Sequence, residues 1–526
     1  MLALHVQSAA VAVSATFFFI VLLYVIFLES FARRRLPKGL PTVGFGSGPF
    51  FASRASISQL LVTLNTVDQG YRQYGARQHA FVIPTPSFRP LVLLPQQYVQ
   101  WLARQPESIL DHEPVNYDRQ SVKYFPFSFD FKKLQIAMKM SLTKGLNLTL
   151  DASQPHMYKC IQDAIDSGLG TDAEGCWKEV RLIQRVREIA DNAVISVFLG
   201  SELSNDKAFR RLLHHFYYGL GILLEFVGLF PVGLLRLIVA NSLYLYLMAV
   251  KKICITYYLR SVISKRIAQL DSRANDVDES SDFVVQCIRT VRKLEFPLGR
   301  DEATFISELL MFLVAVGGLS INSTLVACAV HIFGHEGQQQ NIYSVLRQEA
   351  ESIFKSDADW TSPNSLECLV NIDSCVRETG RLNPTLAFVL TKQVIPKDGI
   401  MLPDGSHVPH GTWVGVPAEA IHTDDSIYPD AHTFDALRFA NMRVEGKPNR
   451  SLESSEPNDT YFFFSYGRAA CRGRWFATRV IKLFLAYLIL HYDIKPLQGD
   501  IKKYEIADTQ FYDSTAEMVV RKRKLN

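Results

Sequence analysis

The chain has 526 residues, 48% of them hydrophobic, with 56 Lys and Arg against 52 Asp and Glu. That length permits a large core or several domains, and the near-neutral balance excludes the strongly basic footprint of a nucleic-acid binder, so no nucleic-acid partner is expected. Eight cysteines are present, but none forms a CxxC pair with Cys471, which argues against a zinc knuckle.

In chain order, the first strong element is residues 9–28, an uncharged apolar run of about the length a helix needs to cross a bilayer. Arg33, Arg34, Arg35 and Lys38 follow it and no Lys or Arg precedes it, so the positive-inside rule places the rest of the chain in the cytosol. A signal peptide is the rival reading, but a basic leader and a small-residue cleavage site are both missing. Cysteines in a cytosolic body would stay reduced. Residues 1–30 are therefore expected to form a membrane anchor and 31–50, rich in Pro, Gly and basic residues, a hinge. With no linker, charge block or repeat beyond it, residues 51–526 read as one large domain.

Within that domain, residues 216–250 are largely apolar. Glu225, Pro231 and Arg236 interrupt them, which favours buried helices or a membrane-dipping substrate entrance over a second span. Residues 309–330 predict a helix buried all round, because they carry no charge and no polar face. Residues 385–417 are rich in β-formers around the turn at Pro403, Asp404 and Gly405. The expected architecture is mainly α with a small β region.

The chemistry concentrates at FSYGRAACRGRWFA, residues 464–477. Gly467 and Gly473 flank Cys471, helical apolar spacing begins at Trp475, and Arg468, Arg472 and Arg474 add positive charge. This setting is expected to favour a thiolate able to ligate iron, whereas a lone cysteine is ordinarily a small buried residue. Upstream, Glu378 and Arg381 are spaced to share a helix face that Pro384 ends.

The spacing Phe-x-x-Gly-x-x-x-Cys-x-Gly at Phe464, Gly467, Cys471 and Gly473 resembles the haem-binding loop of the cytochrome P450 superfamily. The basic residue usual two places before the cysteine is Ala469 here, with Arg468 as a substitute. Glu378, Arg381 and Arg438 match the family's buried Glu-Arg-Arg network, a charge cluster tolerable only when every partner is present. Lys139, in LQIAMKMSLTKGL, matches the position of a basic residue that meets a haem propionate, with Gln135 where an aromatic or histidine is usual. RLNP, IHTDDSIYPDAHTFDALRF and CRGRWFA look most like fungal kaurene-oxidase-type and secondary-metabolism members.

The resemblance implies the P450 fold, haem b (iron protoporphyrin IX) with Cys471 as axial thiolate, and monooxygenase chemistry. The partners it implies are O2, an NADPH-dependent flavoprotein reductase and a hydrophobic small molecule such as a terpenoid or polyketide. It also implies a single-pass protein of the endoplasmic reticulum membrane. The departure lies at VAVGGLSINSTLV, residues 314–326, where the acid and threonine usual over the haem are missing. Two registers are open, and Ser320 and Thr324, four apart on one face, are the candidate hydroxyls; the alternative is that both bond only their own helix. This departure leaves two rivals: a haem-thiolate isomerase or dehydratase without external oxygen chemistry, and a non-catalytic haem-binding membrane protein.

Overall fold

Apolar residues recur at helical spacing through most of the chain, and in the computed structural model they form long helices, with short strands where β-branched residues cluster. The structure describes all residues except 1, 148, 171–174, 230–233, 273–281, 297–300, 385, 444–449, 499–500, 513–514 and 525–526. Pro231 and Thr385 therefore lie outside the described residues.

Helix α1 (Leu2–Arg34) runs four residues past the expected end of the anchor. Its last turn is held by the Arg33–Glu29 pair at 2.5 Å, one helical turn apart. Phe18, Phe19, Ile20 and Leu23 on this helix are exposed. Glu29 also accepts from the Ser53 N–H and hydroxyl at 2.7 and 2.8 Å, tying α1 to α2 (Phe51–Gln73) across the hinge.

The helical body comprises α3 (Phe131–Met140), α4 (Leu150–Leu169), α5 (Leu182–Leu199), α6 (Lys207–Glu225), α7 (Leu234–Cys254), α8 (Glu302–Phe333), α9 (Val370–Leu382) and α10 (Arg474–His491), with shorter helices between them. The 32-residue α8 is its axis and packs against α5, α6, α9 and α10. Among the described residues, two stretches are long and apolar enough to cross a membrane by length and composition, 236–272 and Glu302–Phe333; the second is mostly buried in the body. Arg236, one of the expected interruptions, is buried and paired with Asp118 at 2.8 Å, so that end of α7 is tied into the protein.

The β region is concentrated beside the helices. Strands β1 (Phe81–Ile83), β2 (Leu91–Leu93), β3 (Leu110–Asp111), β4 (Val389–Val394) and β5 (Trp413–Val416) form a sheet in the order β1-β2-β5-β4-β3. The β2–β5 pair is parallel and the others are antiparallel. This sheet has its own apolar core, separate from the larger one around α8.

Candidate active site

Cys471 sits on the loop that leads into α10. Its N–H donates to the Phe464 carbonyl at 2.9 Å, closing the loop across the quoted motif. Gly467 holds φ at 62°, and a Cβ there would stand 3.2 Å from that of Ala103, so both backbone angle and space call for glycine. The N–H groups of Gly473 and Arg474, at the start of α10, hydrogen-bond the Cys471 sulfur. The nearby arginines act in the expected direction, toward the thiolate, but burial acts more strongly against it. Burial pushes the thiol pKa up, and those N–H bonds and the Arg474 and Arg472 charges only oppose the rise. Arg474 is largely occupied elsewhere, stacked 3.5 Å from the Trp475 ring centroid with its guanidinium 4.0 Å from Glu456.

Cys471 is nonetheless accessible. There is also open space beside it, since a Cβ added to neighbouring Gly473 would meet nothing within 4 Å. Helix α8 carries a matching surface. It was expected to be buried all round, but Val316, Ser320 and Ser323 are exposed within an otherwise buried stretch, and their spacing of four and three puts them on one face.

That face separates the two candidate hydroxyls. Thr324 is buried, and its Oγ1 donates to the Ser320 carbonyl at 2.9 Å, so it bonds its own helix. Ser320 is exposed, and no hydrogen bond of its hydroxyl is recorded among the described residues. Ser323, which the motif reading passed over, donates to the Leu319 carbonyl at 3.0 Å.

The Glu-Arg-Arg set is brought together. Arg381 grips Glu378 with both forks, Nε to Oε2 at 2.8 Å and Nη2 to Oε1 at 2.7 Å, and Arg438 Nε donates to Oε1 at 3.1 Å. The Asp435 N–H adds a bond at 3.1 Å. Glu378 and Arg381 are wholly buried, and Arg381 also donates to the carbonyls of His422 and Ala431 at 2.5 and 2.6 Å. His422 was missed in the sequence. Its Nδ1 bonds the Arg381 carbonyl at 2.9 Å and its Nε2 accepts from the Phe462 N–H at 2.8 Å, two residues before the motif begins. Burial drives its pKa down to about 3, so it is neutral, with the proton on Nδ1. Arg377 was missed as well; it lies between Phe439 and Tyr461, 4.7 and 4.0 Å from the ring centroids, and donates to the Glu456 carbonyl at 2.8 Å. Glu456 in turn accepts from Trp475 Nε1 at 2.8 Å, on the first turn of α10.

The expected cationic contacts are looser. Arg468 is exposed, and no hydrogen bond of its guanidinium is recorded among the described residues. Near it lies Lys392 of β4, also missed, whose Nζ donates to the Leu102 carbonyl at 2.9 Å; burial, and then the Arg468 charge, lower its pKa. Two like charges held near each other suit a carboxylate-bearing group between or beside them. Lys139 is on the exposed side of α3 with Lys132 and Ile136, and Gln135 is half-buried. The recorded link from this region to the cysteine loop is instead Asn147, whose Nδ2 donates to the Arg472 carbonyl at 2.9 Å.

One sulfur on a loop with two N–H donors, an apolar and hydroxyl face on α8, and cations for peripheral carboxylates together fit an iron porphyrin. No cluster of three or more His, Cys, Asp or Glu suited to a bare metal ion occurs among the described residues.

Residues 147–512 match the family model for Cytochrome P450. Among curated relatives, cytochrome P450 monooxygenase polB of Polytolypa hystricis is 38% identical over 95% of this chain and 96% of its own. Cytochrome P450 monooxygenase efuH of Hormonema carpetanum is 32% identical over 87% of this chain and 81% of its own. Cytochrome P450 monooxygenase fsoD of Humicola fuscoatra is 31% identical over 93% of each chain. The solved structure of retinoic-acid-bound cyanobacterial CYP120A1 aligns with a TM-score of 0.65 over 93% of this chain and 99% of that one at 19% identity, a likeness of fold.

Proposed function

From the premise that this chain belongs to the cytochrome P450 family, a haem-thiolate monooxygenase by its relatives, we propose that Cys471 is its axial ligand, that the haem is haem b, and that it oxidises a hydrophobic secondary metabolite such as a terpenoid or polyketide. The observation that carries the ligand assignment is the accessible Cys471 sulfur, held on a closed loop with two N–H donors aimed at it. One atom of O2 enters the substrate and the other leaves as water, with two electrons drawn from NADPH through a flavoprotein reductase.

Haem, when bound, supplies the oxidising power, which a thiolate ligand enhances by electron donation. The chain does the rest. The N–H groups of Gly473 and Arg474 temper charge on the sulfur. Glu378, Arg381, Arg438 and His422 fix the segment that delivers Phe464 and the loop, and Arg468 and Lys139 are the proposed contacts for the propionates. Val316 walls the substrate space, and the unbonded Ser320 hydroxyl holds a proton or a water beside the reacting oxygen. Thr324 serves the helix instead.

A single-pass anchor in the endoplasmic reticulum membrane, formed by residues 1–30, with 31–50 as hinge and 51–526 as catalytic domain, is supported by the exposed apolar residues of α1 and the basic residues that follow. Exposed Ile57, Leu60 and Leu61 on α2 and Leu237 and Ile238 on α7 support a further contact of the catalytic domain with the bilayer surface.

A second reading, an isomerase or dehydratase needing no external oxygen, is favoured by the missing acid, since Ser320 in one register and Leu319 in the other stand where the family places it. Two measurements decide. Cys471→His should abolish the red-shifted Soret band that thiolate ligation gives the carbon-monoxide adduct, and retention of the band refutes the ligand assignment. Labelled dioxygen should place one atom in product; turnover without reductase, label or oxygen consumption establishes the isomerase.

A further inference from the structure

Helices α4, α5, α6 and α7 enclose an open cleft of about 950 Å³. Four of its lining residues, Arg185, Lys207, Arg210 and Arg211, are cationic, and Glu188 is the one carboxylate among them. The lining thus carries a formal +3, from four positive charges less one negative, in a chain whose whole formal charge is +4.

The cations are not spent on each other's neighbours. Glu188 is engaged by Gln184 at 2.9 Å and by Arg185 at 2.9 Å. For the side chains of Lys207, Arg210 and Arg211, no ion pair or hydrogen bond is recorded among the described residues, although all three project from the first turns of α6. The cleft's two histidines are both occupied: His214 Nε2 is 3.1 Å from Asp191 Oδ2, and His215 Nδ1 is 3.0 Å from the Tyr246 hydroxyl. Ile189, Ile222 and Leu243 give the same cleft an apolar part.

We propose that this cleft binds a phosphate group carried on an apolar body, at a site distinct from the cysteine loop. Three cations that line one concavity, with no partner recorded among the described residues, exceed what its single carboxylate neutralises, whereas a phosphomonoester offers close to two charges and three acceptor oxygens. Arginine forks match its geometry, and the apolar lining accepts the carbon skeleton to which the phosphate is joined. A lipid headgroup and a soluble phosphate ester share this chemistry.

Calorimetric titration of the haem-loaded full chain in neutral detergent with inorganic phosphate and with dodecyl phosphate tests the site. Saturable binding of either is expected, weakened at least tenfold in Arg210→Glu/Arg211→Glu and severalfold in the milder Arg211→Gln. The carbon-monoxide spectrum of each variant checks that the fold is intact. Tighter binding of dodecyl phosphate, with added retention on phosphatidic-acid vesicles that the double variant loses and phosphatidylcholine vesicles never show, assigns a lipid headgroup. Tighter binding of dodecyl phosphate without that retention assigns a soluble phosphate ester, and equal affinity for both probes overturns the apolar body. No saturable binding of either probe, or affinity unchanged in both variants, overturns the proposal.

Discussion

Two buried carboxylates, Glu378 behind the cysteine loop and Asp191 behind the distal helix α8, are treated differently by the fold. Glu378 accepts from two arginines and a backbone N–H, and both of its oxygens are engaged. Asp191, equally removed from water, has no arginine in ion-pair contact among the described residues, and Arg187 acts on it only weakly. Its Oδ1 accepts from Asn322 of α8, and its Oδ2 faces the partly exposed His214. Burial leads the forces on it, and its pKa is raised. Oδ1 is also close to α8 itself, since a Cβ added to Gly318 would stand 3.5 Å from it. The cysteine side is thus a fully paired ionic clamp that holds one geometry, whereas the distal side is a polar contact with weak charge compensation. The first arrangement resists rearrangement, whereas the second leaves a buried acid whose protonation responds to its surroundings.

The largest test of this contrast is Glu378→Gln. Removing the charge strands Arg381 at a site without water, a loss of about 3–5 kcal/mol for a broken buried pair. Haem incorporation should fail or fall steeply on purification, read as the ratio of Soret to protein absorbance. A haem-replete, equally stable variant would show that the clamp is dispensable.

His422 sharpens the same side through pH. Its pKa is depressed from 6.5 to about 3 by burial, so the folded protein keeps it neutral while the unfolded chain protonates. The stability it contributes is therefore complete above about pH 6.5 and is lost as pH falls toward 3, by about 1.4 kcal/mol per pH unit. Melting temperatures followed across that window should fall less steeply in His422→Gln than in the parent. Parallel slopes would mean that the imidazole protonates in place.

Much of the cysteine side was legible in the sequence because its residues are short-range punctuation: Gly467 and Gly473 around Cys471, Glu378 and Arg381 three apart, Arg438 within a recognisable run. His422 and Arg377 were not legible as parts of the clamp, since their partners are carbonyls and rings 40 to 84 residues away that only the folded chain brings near. On the distal side the helix itself could be read from its unbroken apolar run. Its exposed face could not, because composition says that a helix is buried without saying where neighbours leave it uncovered. The positive setting of Cys471 misled about its titration for a related reason: the sequence counts three arginines, but desolvation outweighs them and Arg474 is bound to Trp475 and Glu456.

The two hydroxyls of α8 test the distal side from within. Ser320→Ala should leave substrate binding intact and raise peroxide release per NADPH severalfold, because the hydroxyl that faces the cavity is the one able to direct a proton. Thr324→Ala should leave that ratio unchanged and lower stability by about 1 kcal/mol, the ordinary worth of one intramolecular hydrogen bond. The reverse pattern would shift the register of the motif by one turn.

The smallest effect is expected at Asp191, and its sign is the informative part. A carboxylate whose folded pKa is raised above its ordinary 3.8 costs the protein stability at every pH where it is charged in both states. Asp191→Asn removes that charge while keeping an oxygen to accept from Asn322, so the melting temperature at neutral pH should rise slightly where Glu378→Gln lowers it sharply. The gain should vanish in acid, where the parent carboxyl is itself neutral. His214 then loses the carboxylate 3.1 Å away, the larger of two that oppose burial, Glu188 being the other; Arg210 and His215 already disfavour its charge. Its titration should move further down, measurable by the pH dependence of its imidazole proton resonances. A drop in stability comparable to that of Glu378→Gln would show that Asp191 is as fully compensated as Glu378, and the contrast between the two sides of the molecule would fail.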